Sequence, residues 1–108
     1  MQSLNGRKNA RFRYHWYIRI DQLDCELVNI IARRAECVKA AAAFKTDHSA
    51  VRAPDRVQQV ICKVRRQAAE AGLSEVIIEK IYRTMISAFI EYELEQHDQL
   101  QHAAAKTD

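Results

Sequence analysis

The sequence predicts an all-α protomer built from three helices, long, short and long. Three observations point there. Two glycines and one proline among 108 residues are too few turn formers for an all-β sandwich or barrel. Hydrophobic residues make up 48% and charged residues 29% of the chain, a globular balance rather than a disordered one. Apolar residues also recur at three-and-four spacing in three separate stretches, the period of a helix face. No apolar run approaches the ~20 residues that span a bilayer, so no membrane partner is expected. The first twenty residues are basic and aromatic without an apolar core, which is not the pattern of a secretory leader. The expected setting is the cytoplasm.

Residues 1–11 are set apart as a flexible basic extension, residues 12–97 as the helical domain, and residues 98–108 as a polar tail that frays. The first helix is expected from Phe12 to Thr46, with Ile20, Leu23, Leu27, Ile30, Ile31, Cys37 and Val38 on its apolar stripe. The run Ala40 to Ala43 is a strong helix former. About 33 helical residues at ~1.5 Å each make a rod ~50 Å long. A chain of this size folds to a diameter of only ~26 Å, so one protomer cannot cover that helix. An intertwined homodimer is the expected solution. Asp47 to Ala53 reads as a polar loop, and Pro54 suits a first helical position. The second helix carries Val57, Val60, Ile61, Val64 and Ala68 on one stripe, and Gly72 is placed to end it. Ser74 is placed to cap the third helix, whose stripe runs Ile77, Ile78, Ile81, Met85, Ile86, Phe89, Ile90 and Leu94.

The net charge of +3 is unevenly placed. Arg7, Lys8, Arg11, Arg13 and Arg19 stand in the first nineteen residues without an acid, and the rest of the chain is slightly acidic. A basic head is a mild nucleic-acid signal, outweighed by the plainer reading of a solvated terminus. Cys25, Cys37 and Cys62 are odd in number and form no CxxC pair, and His15, His48, His97 and His102 show no ligand spacing. No metal site is therefore expected, and the thiols suit a reducing compartment.

Charged residues at apolar-periodic positions are the informative feature. Arg34 continues the stripe of Leu27 and Ile31. Lys45 follows eleven residues later, three turns on and ~16.5 Å along the same helix face. Val38 and Ala41 lie between them and are small enough to leave room for a small dianion. Two inward cations around a cavity call for an anionic guest, the alternative being that both pair with acids such as Glu36 or Asp47 in solvent. Glu93 sits one turn after Phe89 on an inward stripe, where a carboxyl, once protonated, is a neutral hydrogen-bond donor. Arg56, just after Pro54, is positioned for the mouth of the same cavity.

These residues, taken in order, resemble the all-helical chorismate mutase family. The resemblance is carried by Ile20-Asp21-Gln22-Leu23-Asp24 through Leu27, then Arg33-Arg34, Val38-Lys39, Phe44-Lys45, Pro54-Asp55-Arg56-Val57 and Gly72-Leu73. It covers roughly residues 17 to 96, and its nearest branch is the group of small proteins that includes isochorismate-pyruvate lyase. It implies an intertwined homodimer with two equivalent sites. Each would bind the two carboxylates of chorismate and promote a pericyclic rearrangement to prephenate without a cofactor. The family's carboxylate-binding arginine matches Arg34, and its lysine on the ether oxygen and a carboxylate matches Lys45. Its arginine at the start of the second helix matches Arg56, and its Gln or Glu on the ether oxygen matches Glu93. Phe89 and Val38 would line the cavity.

Two positions depart from the pattern. Tyr17 stands where the family has an arginine donated across the dimer, and Arg13, one turn earlier and within about 40° of that face, is the stand-in. Val57 stands where many mutases have a glutamate for the ring hydroxyl, and an apolar residue there fits the lyase branch. Glu93 leans the other way, because the lyase has a glutamine. The first expectation is a chorismate mutase, the second an isochorismate-pyruvate lyase giving salicylate and pyruvate, and the third a non-catalytic helical dimer with a basic head.

Overall fold

No glycine or proline lies between Gly6 and Pro54 to break the first helix, and α1 spans Gln2–Ala42. The computed structural model describes the backbone of residues 2–107, and side chains for residues 9–100 and 103. The helix begins ten residues before the expected Phe12 boundary and takes in most of the basic extension. Side chains 1–8 lie outside the described residues, Arg7 and Lys8 among them. The chain divides after Val38 into two compact units, Met1–Val38 and Lys39–Asp108.

At its other end α1 stops sooner than the alanine run suggests. Phe44 N–H donates to Ala41 O at 3.2 Å and Lys45 N–H to Ala42 O at 3.0 Å, tightening the last turn. Asp47 then takes an extended conformation, φ −147° and ψ 173°, and its carboxylate accepts from Ala50 N–H at 2.8 Å. This is an N-cap, and it starts a helix, α2 (His48–Arg52), inside the stretch expected to be a loop. The Asp47 side chain satisfies an amide that continued α1 helix would have bonded through its own ladder, so the cap competes with helix extension. Two consequences correct the sequence reading. The helix plan gains a short fourth member, and Lys45 lies three residues past the end of α1 rather than on its face.

Ala53 closes α2 and opens α3 (Pro54–Glu70) from the left-handed region, φ 38° and ψ 62°. Pro54 occupies the first helical position as expected. The stripe of α3 buries Ile61, Val64 and Ala68. Gly72 ends it at φ 76°: Leu73 N–H returns to Ala68 O at 2.8 Å and Gly72 N–H to Ala69 O at 3.2 Å. That pair of bonds is a Schellman motif, which needs a residue at home in positive φ. Ser74 Oγ accepts from Ile77 N–H at 3.3 Å and caps α4 (Glu75–Thr107), with Glu75 in the favourable first turn. This helix runs about ten residues beyond His97, through the segment expected to fray.

Within the second unit α4 packs against α3 and α2. Val51 from α2 and Ile61, Val64 and Ala68 from α3 are its buried apolar residues among those described. An ionic network reinforces the hairpin: Arg65 of α3 bonds Glu79 of α4 and lies 3.6 Å from Glu75, while Arg83 donates to Glu79 at 2.8 Å. The guanidiniums of Arg83 and Arg65 hold the Glu79 carboxyl below its ordinary value, and the bond to Glu79 raises Arg65.

The first unit is a single helix whose apolar stripe stays open. Ile20, Leu23, Leu27 and Ile30 are each about half-exposed, and Trp16 and Tyr17 more so.

Candidate active site

Two of the sequence-predicted residues meet directly. The Lys45 ammonium donates to Glu93 Oε2 at 3.0 Å, joining the turn after α1 to α4 across 48 positions of sequence. Glu93 is 8% exposed and Lys45 25%. Among the described residues Glu93 is the buried charged side chain. Helical spacing places it there: Phe89, one turn before, is half-buried, and so are Ile90 and Leu94 beside it. The inward position inferred for Glu93 therefore holds. A carboxylate removed from water needs a partner, and Lys45 supplies one. The helical-turn count that put Lys45 on the face of Arg34 does not hold, because the chain has left the helix. Lys45 reaches the site from a turn fixed by the Asp47 cap.

The other candidates divide between the two units. In the second unit Arg56 is exposed on the first turn of α3 and Val57 beside it is half-buried. In the first unit Arg34 and Val38 are half-buried on α1, one turn apart, while Arg13 is exposed and Tyr17 is 57% exposed. An open depression along α3, lined by Asp55, Gln58, Gln59, Cys62, Lys63 and Arg66, contains none of the expected site residues.

The sequence reading missed a polar cluster one turn beyond Glu93. His97 Nε2 lies 3.2 Å from Thr46 O, the residue after Lys45. His48 Nε2 lies 2.7 Å from Asp98 Oδ1, and the two imidazoles meet edge to face with centroids 5.4 Å apart. These histidines look like surface residues in the sequence because their partners are some 50 positions away. Their only sequence signal is that His97 and Asp98 follow Glu93 by about one helical turn. The three cysteines are free and exposed.

A fixed ammonium beside a buried carboxyl can hold an anionic group and stabilise charge developing on an oxygen. Neither residue type calls for a metal or an organic cofactor to do so. Among the described residues no helix is long and apolar enough to cross a membrane.

The family described as chorismate mutase type II matches residues 16–94. The isochorismate pyruvate lyase of Pseudomonas aeruginosa is 33% identical over 85 residues, covering 79% of this chain and 84% of the relative. No solved structure matches the chain at a significant level. The matched segment runs from Trp16 to Leu94 and so includes Arg34, Lys45, Arg56 and Glu93. This chain belongs to the chorismate mutase type II family.

Proposed function

We propose that the protein is a pericyclic enzyme acting on a chorismate-class dianion, with the rearrangement of chorismate to prephenate as its reaction. The observation that carries this reading is the 3.0 Å pair of Lys45 with the buried Glu93. As the C–O bond of the substrate breaks, negative charge grows on the ether oxygen, and the Lys45 ammonium stabilises it where water is thin. Glu93 adds a hydrogen bond to the same oxygen when protonated. Arg34 and Arg56 hold the two carboxylates with their planar forks, so much of the catalysis is positioning. In the proposed site Val38 and Phe89 are the apolar neighbours of the substrate. The substrate's carboxylate competes with Glu93 for Lys45, so the ion pair is the resting arrangement of the site.

The proposal includes a homodimer in a cytoplasmic setting. Support for the dimer comes from the half-exposed stripe Ile20, Leu23, Leu27 and Ile30 on a 41-residue helix. In that dimer Arg13 takes the part of the arginine that Tyr17 replaces. The partners are one small dianion and a second copy of the chain.

A second reading is isochorismate-pyruvate lyase, with salicylate as the other product. Two observations favour it: Val57 is apolar where a mutase glutamate would meet the ring hydroxyl, and the Pseudomonas relative carries the lyase name. The test is to incubate the purified protein separately with chorismate and isochorismate and follow both by NMR. Prephenate from chorismate supports the mutase, and salicylate with pyruvate from isochorismate supports the lyase. No turnover of either substrate overturns both. In the active reaction Glu93→Gln should keep the rate, because its amide donates to the ether oxygen, while Glu93→Ala should lower it at least about tenfold. Equal rates in the parent and Glu93→Ala would remove the role given to Glu93.

A further inference from the structure

The cluster beyond Glu93 has a chemistry of its own. His48 opens α2, while His97 and Asp98 are neighbours on α4. Each offers one ligand atom, and the three atoms lie within 4.8 Å of one another. The bonding of His97 is the decisive detail. Its Nε2 faces the carbonyl of Thr46 at 3.2 Å, and a carbonyl only accepts, so Nε2 carries the proton. In the neutral ring that leaves Nδ1 as a bare lone pair. Nδ1 is buried and has no hydrogen-bond partner among the described residues. An unsatisfied buried acceptor is unfavourable, and protonating the ring would only exchange it for an unsatisfied buried donor. A histidine whose outer N–H is held by a backbone carbonyl, with its second nitrogen free, is oriented as metal-bound histidines are.

The geometry points to a site for one divalent transition-metal ion of the zinc class, held by His48, His97 and Asp98 and completed by water. Two imidazoles and one carboxylate suit such an ion, whereas magnesium and calcium ask for more oxygen donors. The ion would take the place of the proton between His48 Nε2 and Asp98 Oδ1, now 2.7 Å apart. Ligand atoms around a tetrahedral zinc stand about 3.3 Å from one another, so the cluster must tighten somewhat. The side chains that must turn are His48 and Asp98, 52% and 61% exposed, which meet little resistance. Such an ion would tie the start of α2 to α4 one turn past Glu93. The ion site is independent of which reaction the protein performs.

Zinc binding to the full chain tests this, after removal of metals with a chelator. Cys25, Cys37 and Cys62 are first changed to serine, because exposed thiols are themselves zinc ligands. Zinc is titrated in competition with a chromophoric chelator, and cobalt is added separately to read the visible spectrum of the bound ion. The expected result is one ion per chain and a rise in Tm on binding. Affinity should fall at least about tenfold in His97→Ala, His48→Ala or Asp98→Asn, the loss typical of disturbing a metal site. If His97→Ala fails to fold, the two exposed positions carry the test. Absence of binding overturns the proposal, and so does binding that all three substitutions leave intact, which would put the ion on another histidine.

Discussion

Gly72 shows how one residue can be held by backbone geometry alone. Its φ of 76° completes the Schellman turn, yet a Cβ added there would meet nothing within 4 Å. Any loss in Gly72→Ala is therefore conformational, and the expected effect is a destabilisation of about 1 kcal/mol or slightly more, read by urea denaturation. An unchanged midpoint would mean that the turn relaxes without that residue. This glycine was legible in the sequence because a Gly after an apolar helix has one common use. Ala53 was not legible. It holds φ 38° without being glycine, a conformation imposed by two helices meeting at one residue rather than by its own preference. Lys45 belongs with it. It could be proposed as a site residue, but its position could not be read, because a capping aspartate two residues on decides where the helix stops.

Among the elements, α3 and α4 were the most readable. Proline at one start, serine at the other and glycine between them left little freedom for the boundaries. Readability failed at α2 and at the two outer helix ends. Five residues are too few for a periodic signal, and the polar outer ends of α1 and α4 carry no proline and no apolar stripe to mark a boundary. The ionic network that links α3 to α4 was equally hidden, since Arg65 and Glu79 are 14 positions apart. It has a pH signature. The folded value of Glu79 lies below the unfolded value near 4.5, so its contribution is fully present above that value. It is lost as pH falls through the lower, folded value. Thermal melts of the parent should therefore lose stability across that acid window, and Glu79→Gln should lose less there while starting lower at neutral pH. Identical acid slopes in the two proteins would dismiss the network as a pH-dependent contact.

For the whole molecule, the fold class followed from length and composition, and the expectation of a second chain from the length of the first helix. A helix of 41 residues with Leu23 and Leu27 about half-exposed is short of apolar cover. Light scattering at micromolar concentration should give twice the chain mass, and Leu23→Asp with Leu27→Asp should reduce it to one. A parent that runs as a monomer would leave the proposed two-chain site without its arginine donor. The 3.0 Å pair and the cluster beyond it also share one stretch of α4, Glu93 to Asp98. Adding or deleting a single residue just before Glu93 would turn everything downstream by about 100°. That one step would part Glu93 from Lys45 and His97 from Thr46 together. Natural length variation should therefore gather in residues 71–74 and at the outer ends, and leave both the turn carrying Lys45 and Thr46 and the span from Phe89 to Asp98 constant in length.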